Sequence, residues 1–87
     1  MNVRTPRQGE PLTGREIEIL LSIAHGHTAA TCGRELGIHR TTVKTHMYRI
    51  RNKLGARSGA HAVAIALRTG VFSLDAITLN HRKGPRS

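Results

Sequence analysis

The sequence is short of aromatic residues, cysteine and carboxylates, and each shortage limits what the chain can be. The chain has one tyrosine, one phenylalanine and no tryptophan. Its 87 residues predict a single small domain, and a core of this size is marginal without a partner subunit. The lone Cys32 allows no internal disulfide, which fits a reducing cytoplasm. No apolar run approaches the length of a transmembrane helix, and the opening residues MNVRTPRQG lack the apolar centre of a signal peptide. A membrane protein is therefore not expected.

Acidic residues are scarce relative to basic ones. Five Asp and Glu residues stand against 14 Lys and Arg, which gives a formal net charge of +9. No carboxylate lies between Glu35 and Asp75, whereas a merely solvated surface usually mixes the two signs. The imbalance favours a polyanionic partner, nucleic acid before an acidic membrane surface. The cations of this interval are Arg40, Lys44, Arg49, Arg51, Lys53, Arg57 and Arg68.

The sequence indicates neither a metal site nor a catalytic site. His25 and His27 are two residues apart, and His39 and His46 are seven apart, and neither spacing is that of a structural zinc site. No nucleophile stands in a recognisable pattern with a base and an orienting group. We therefore expect no enzyme activity, no metal and no cofactor.

Residues 37–54 carry the helical pattern around which the chain is organised. Gly37 suits the left-handed residue that ends one helix. His39 then falls at the N-cap of the next helix, where Ile38 and Val43 have the spacing of a hydrophobic staple. The inner stripe at helical spacing is Val43, His46, Met47, Ile50 and Leu54. The opposite face consists of Thr41, Lys44, Thr45, Tyr48, Arg51 and Asn52. A helix that buries one side and shows cations and hydrogen-bonding groups on the other is typical of major-groove readers.

Two helices are predicted before this one. The first covers residues 13–25, and Thr13 and Glu16 have the spacing of a capping box at its start. The second covers residues 29–36, with Thr28 at its N-cap.

A fourth helix is predicted over residues 58–69, with Ser58 as its N-cap and Gly70 just after its end. Its apolar residues exceed what one core face requires. They are Ala62, Val63, Ile65, Ala66 and Leu67.

In combination, these blocks resemble the LuxR/GerE-type helix-turn-helix domain. The pattern of that family has an L-T-x-R-E start, a glycine before the second helix, the block L-x-I-x-x-x-T-V-K-x-H and a closing K-L-G. The resemblance covers residues 12–72. It implies an all-α, four-helix helix-turn-helix domain, which binds double-stranded DNA in a sequence-specific way and regulates transcription. The termini outside this domain are basic, and their composition predicts that they are flexible. The matching residues are Leu12, Thr13, Arg15, Glu16, Gly26, Leu36, Ile38, Thr42, Val43, Lys44, His46, Lys53, Leu54 and Gly55.

The resemblance also implies which residues contact DNA. Base edges are expected to meet Lys44, Thr45 and Tyr48: Lys44 can donate to guanine, and the Thr45 methyl can meet a thymine methyl. Tyr48 departs from the cation or polar residue frequent in the family, so its target is open. His46 lies on the inner stripe and is expected to be packed. The residues assigned to phosphates, which position without specifying sequence, are Arg40, Thr41, Thr42, Arg49, Arg51, Lys53 and Arg57.

In the family, the fourth helix forms the dimer contact. The resemblance therefore implies a homodimer through Val63, Ala66 and Leu67. The surplus of apolar residues on this helix agrees with such a contact.

The chain departs from the family pattern mainly in the second helix. Residues 29–33 read AATCG where the family commonly has N-K-E-I-A. Gly33 replaces alanine, which lowers helix stability by about 1 kcal/mol, so this helix is expected to be the weakest. In the first helix, Ile17 and Leu21 are apolar where the family tends to be polar. Two interpretations stay open for them, packing against the core and contact with a protein such as RNA polymerase.

The predicted organisation is a basic N-terminal arm at residues 1–11, the helix-turn-helix domain at 12–72 and a basic C-terminal tail at 73–87. Because the arm has no room for an input domain, the chain resembles the free-standing members of the family. A cytoplasmic location is expected, on the nucleoid or in the host cytoplasm if a phage encodes the protein. Two other functions stay open: recruitment of RNA polymerase, as by sigma-factor region 4, and a decoy that pairs with a full-length regulator without binding DNA.

Overall fold

The computed structural model of the chain describes residues 6–77, which are all-helical with no strand in that range. The helices are α1 (Gly14–Ala24), α2 (Ala29–Leu36), α3 (Arg40–Leu54) and α4 (Gly59–Thr69). A further helical turn covers residues 74–77. The predicted all-α helix-turn-helix fold is therefore confirmed, with each helix within about a residue of its expected bounds.

Local side-chain caps explain where the helices begin. The Thr13 hydroxyl accepts a hydrogen bond from the Glu16 amide, and the Glu16 carboxylate accepts one from the Thr13 amide, which confirms the predicted capping box. Thr28 and Thr31 form a second reciprocal box at the start of α2. This box was not predicted, because Thr31 stands where glutamate or glutamine is usual. It satisfies two amides at the start of the helix expected to be the weakest.

The core lies where α1, α3 and α4 meet, and α2 closes it from the side of α3. Its fully buried side chains are Ile19, Leu20, Cys32, Val43, Ile50, Ala62 and Ala66. Ile17 and Leu21 are half-buried and pack against this core. The packing interpretation of these two residues is therefore favoured over a free apolar strip.

Part of the N-terminal arm contacts the end of α3. The Gly9 amide donates to the Lys53 carbonyl over 2.8 Å, and the Lys53 ammonium donates to the Pro11 carbonyl over 3.0 Å. Pro6 is buried. The ordered domain therefore extends upstream of residue 12, the boundary expected from the sequence.

The chain after α4 also packs on the domain. Phe72 is buried against the core, and the imidazole Nε2 of His25 lies 2.9 Å from the Ile77 carbonyl oxygen. The packed region thus runs past residue 72. The tail from Thr78 to Ser87 lies outside the described residues.

Candidate nucleic-acid interface

The turn between α2 and α3 is tight, and glycines make it so. Gly37 ends α2 with φ of +73°, a left-handed conformation that glycine adopts without strain. Gly33 lies beneath the turn, where a Cβ would come 2.5 Å from the Ile38 carbonyl oxygen and 3.3 Å from the Arg40 nitrogen. Gly33 lowers the helix propensity of α2, but its lack of a side chain allows α2 to approach the start of α3. The expectation that Gly33 only destabilises was incomplete.

Lys44, Thr45 and Tyr48, the three residues predicted to read bases, lie together on the exposed face of α3. With Thr41 they follow i, i+3, i+4, i+7 spacing, and all four are exposed. The Tyr48 side chain is 50% exposed. We call Thr41, Lys44, Thr45 and Tyr48 the α3 face.

Hydrogen bonds to the helix backbone orient two side chains of this region. The Thr45 hydroxyl donates to the Thr41 carbonyl over 3.1 Å, which leaves its methyl group for an apolar contact. The Asn52 amide donates to the Tyr48 carbonyl over 2.9 Å. Lys44 keeps all three of its N–H donors free of partners within residues 6–77. The α3 face can therefore supply a methyl group, a phenol and a cation to one ligand.

The residues predicted to meet phosphates divide into exposed and engaged groups. Arg40, Thr42 and Arg57 are exposed, as is Thr41 on the α3 face, and Arg51 is half-buried. Arg49 is also half-buried, and its Nε lies 3.5 Å from the Glu16 carboxylate. The exposed group flanks the α3 face at the beginning of the helix and just beyond its end.

The structure places Lys53 in an ion pair inside the domain. Its side chain is only 5% exposed, and its Nζ lies 2.8 Å from Oε1 of Glu16, which is 2% exposed. A cation in this position cannot reach a phosphate without breaking a buried ion pair. The geometry therefore does not favour Lys53 as a phosphate contact, which stays an untested prediction; its partner Glu16 is 37 residues away in the chain, where the pattern of α3 alone does not reveal it.

Glu16 is the acidic centre of this buried cluster. Burial by itself raises the pKa of a carboxyl group. Here hydrogen bonds from Lys53 and Thr13, together with the charges of Lys53 and Arg49, outweigh burial and hold the pKa of Glu16 below its ordinary value of 4.5. Glu16 is thus ionised and neutralised within the domain, so it adds no free negative charge near the α3 face.

His46 lies on the inner side of α3, as predicted. Its Nδ1 atom is buried and has no hydrogen-bond partner in the structure. The family-pattern histidine of this chain is therefore a half-buried side chain whose Nδ1 atom faces the interior of the domain.

The surface of α4 differs from the predicted dimer contact. Ala66 is fully buried in the core of the single chain, so its side chain has no exposed area to offer a partner, which does not favour its place in the predicted contact. Val63 and Leu67 are half-buried, and Ala60 and Ala64 beside them are exposed. These four residues share i, i+3, i+4, i+7 spacing and form what we call the α4 strip. Spacing alone did not single out the two alanines, because α4 is apolar on most of its sides.

Within residues 6–77, no group of three or more His, Cys, Asp or Glu side chains could hold a metal ion. Over the same range, no helix is long and apolar enough to cross a membrane.

In this helix-turn-helix, formed by α2 and α3, the later helix α3 presents cations and hydrogen-bonding groups. Domains with this arrangement form a class that binds nucleic acid. Comparison with known families agrees: residues 10–66 match the sequence profile of GerE, described as bacterial regulatory proteins of the luxR family. The chain therefore belongs to the luxR family of bacterial regulatory proteins, and its four-helix body is the DNA-binding helix-turn-helix domain of that family.

Curated relatives include proteins from several bacteria. The transcriptional regulatory protein YdfI of Bacillus subtilis is 36% identical over 73 residues, which are 84% of this chain and 34% of that protein. The HTH-type transcriptional activator RamA of Corynebacterium glutamicum is 38% identical over 66 residues, 76% of this chain and 24% of that protein. The response regulatory protein YgeK of Escherichia coli is 43% identical over 63 residues, 72% of this chain and 43% of that protein. The chain thus spans less than half the length of these relatives. No solved structure matches it significantly.

Proposed function

We propose that this domain binds double-stranded DNA in a sequence-specific way, with α3 in the major groove, and that it regulates transcription as a homodimer. The α3 face carries this proposal, because it brings Lys44, Thr45 and Tyr48 to one exposed surface with no carboxylate on the same helix. Relatives named as transcriptional regulators support the regulatory role.

The dimensions of α3 suit the major groove. Its 15 residues extend about 22 Å at 1.5 Å per residue, and a helix with its side chains fits a groove about 12 Å wide. The helix lies on the tight turn at Gly37, and its inner residues Val43 and Ile50 are fully buried. The body of the domain therefore holds the helix rigidly while the opposite side faces solvent.

The distribution of charge supports a DNA-facing surface. Of the five acidic residues, Glu16 is neutralised by Lys53 inside the domain. Glu18 pairs with Arg15 over 3.4 Å, and Glu35 lies 3.4 Å from His27. These exposed carboxylates lie on α1 and α2 rather than on α3. Exposed Arg40 and Arg57 are the phosphate contacts that this arrangement favours.

The proposed dimer contact is the α4 strip rather than the set that includes Ala66. Small exposed Ala60 and Ala64 allow close approach of a second helix, and half-buried Val63 and Leu67 add apolar area on either side. A two-fold dimer predicts inverted half-sites about 10 bp apart, or a multiple of that spacing.

One alternative function is a decoy that pairs with a full-length regulator without binding DNA. Its motivation is that α2 departs from the family pattern. The structure weakens its motivation, since α2 keeps a full capping box at Thr28 and a close approach to α3 at Gly33. Polymerase recruitment rests on the shared start of the sequence. Ile17 and Leu21 pack partly against the core, which reduces the apolar area available for such a contact. DNA binding is therefore the function that the geometry supports best.

Selection of bound duplexes from a random pool tests the proposal. We expect enrichment of one motif with two-fold symmetry, bound with a steep dependence on salt concentration. If no motif is enriched and the affinity depends on salt concentration but not on DNA sequence, sequence-specific recognition is contradicted.

A further inference from the structure

A groove of about 400 Å³ opens beside the α3 face, where α1, α3 and the start of α4 meet. It is lined by Ile23 from α1, by Lys44, Met47 and Arg51 from α3, and by Gly59 from α4. Its volume falls within the range of small-molecule sites, about 300–1,000 Å³. None of the roles described above accounts for a hollow at this place.

The floor of the groove is apolar. A Cβ at Gly59 would lie 3.6 Å from the Met47 methyl carbon and 3.9 Å from the Ile23 Cγ2, so these two apolar side chains border the space above Gly59. The glycine leaves open the space that any larger side chain would fill. No lining residue of the floor offers a hydrogen-bonding side chain, so the floor does not match a sugar or a base edge.

The rim of the groove is cationic. Lys44 and Arg51 lie two helical turns apart on α3, with Met47 between them. Neither side chain has a hydrogen bond or ion pair with the rest of the described chain. An ion pair with a ligand would therefore replace only water and would break no existing contact.

We propose that this groove binds a small amphipathic anion, a carboxylate or sulfonate on an aromatic or aliphatic body, and that the bound anion excludes DNA. The apolar body lies on Ile23, Met47 and Gly59, while the anionic group contacts Lys44 and Arg51. Complementary charge decides the occupant: a second copy of this basic chain would bring further cations, and a bare phosphate would leave the apolar floor uncovered. The exclusion of DNA rests on the proposed function, in which Lys44 and Arg51 also contact DNA.

Binding without DNA is the first test, with 8-anilinonaphthalene-1-sulfonate as the anionic probe. We expect saturable binding of one probe per folded chain, with NMR shifts at the Gly59 amide and the methyl groups of Ile23 and Met47. The neutral analogue N-phenyl-1-naphthylamine should bind about fivefold more weakly, since it lacks the ion pair. Equal affinity for both probes, or shifts centred elsewhere, would overturn the site.

Two variants and a charge-matched control locate the site. Arg51→Gln should weaken the anionic probe about fivefold, whereas Arg68→Gln, at an exposed residue in the last turn of α4, should leave its affinity unchanged. Gly59→Leu should abolish binding by filling the floor. Circular dichroism confirms that each variant is folded. If Arg51→Gln and Arg68→Gln behave alike, binding reflects net charge only and the proposal fails.

Competition is the second test. The selected duplex should displace the bound probe, and a saturating probe concentration should raise the apparent Kd for DNA. Simultaneous binding of both would overturn the exclusion. A chain that binds the probe but no duplex would instead contradict the proposed DNA-binding function, so the two failures are distinguishable.

Discussion

The Nζ atom of Lys53 lies 2.8 Å from Oε1 of Glu16, with both side chains almost completely buried. This pair connects the first turn of α1 to the last turn of α3. Lys53 also donates to the Pro11 carbonyl, and its own carbonyl accepts from the Gly9 amide. One lysine therefore holds α1, α3 and the N-terminal arm together.

Lys53→Ala should lower the free energy of unfolding by about 3 kcal/mol, because it leaves the buried Glu16 carboxylate without its nearest counter-charge. Arg57→Ala removes an equal charge from an exposed position and should change it by less than about 0.5 kcal/mol. Urea unfolding measures both values. Similar small changes in the two variants would show that the Lys53–Glu16 pair is not a structural contact.

Stability should decrease in acid through Glu16. Because its pKa in the folded chain lies below the ordinary value of 4.5, its contribution is complete above that value and is lost as pH falls through the folded pKa. Glu16→Gln should be less stable near neutral pH and should show a flatter dependence on pH below 4.5. Urea unfolding from pH 7 to pH 3 measures this, with Glu18→Gln as the exposed control. If the free energy of unfolding of Glu16→Gln depends on pH as steeply as that of the unsubstituted chain, the acid sensitivity does not come from Glu16.

Gly33→Ala should destabilise the domain although alanine favours helix. The added Cβ would lie 2.5 Å from the Ile38 carbonyl oxygen, so we expect a net loss of about 1–3 kcal/mol. The matched control is Gly14→Ala, where a Cβ meets nothing within 4 Å. Thermal unfolding should show a lower Tm for the first variant and an equal or higher Tm for the second. A gain in stability at Gly33 would refute the close approach of α2 and α3.

Ala64→Glu should disrupt the proposed dimer without unfolding the chain, because Ala64 is exposed in the single chain. Thr69→Glu adds the same charge at an exposed residue of α4 that lies outside the α4 strip. Sedimentation with and without the selected duplex should show loss of the dimer for Ala64→Glu only. Dimers that persist in both variants would place the interface elsewhere.

Local features of the fold were predictable from the sequence because each depends on neighbouring residues. The capping box of Thr13 and Glu16, the left-handed Gly37 and the His39 N-cap all involve partners within four positions. The exposed positions of Lys44 and Thr45 followed in the same way, from the period of one helix.

Prediction from the sequence fell short where the environment of a residue depends on groups that are distant from it in the chain. Lys53 stands among surface cations of α3, and nothing in that stretch reveals Glu16 across the core. Ala66 belongs to a helix that is apolar on most of its sides, so periodicity could not separate its core residues from its surface residues. Gly33 was judged by helix propensity alone, whereas the carbonyl of Ile38 across the turn determines what fits there.

Binding of Lys44→Ala to the selected duplex and to a scrambled duplex, measured by fluorescence anisotropy at one salt concentration, tests the central claim most directly. If Lys44 reads a base edge from the α3 face, the variant should lose about 1–3 kcal/mol on the selected duplex and much less on the scrambled one. Arg40→Ala, at an exposed residue assigned to a phosphate, should weaken both duplexes about equally. An equal loss on the two duplexes for Lys44→Ala would contradict recognition of bases by this face of α3.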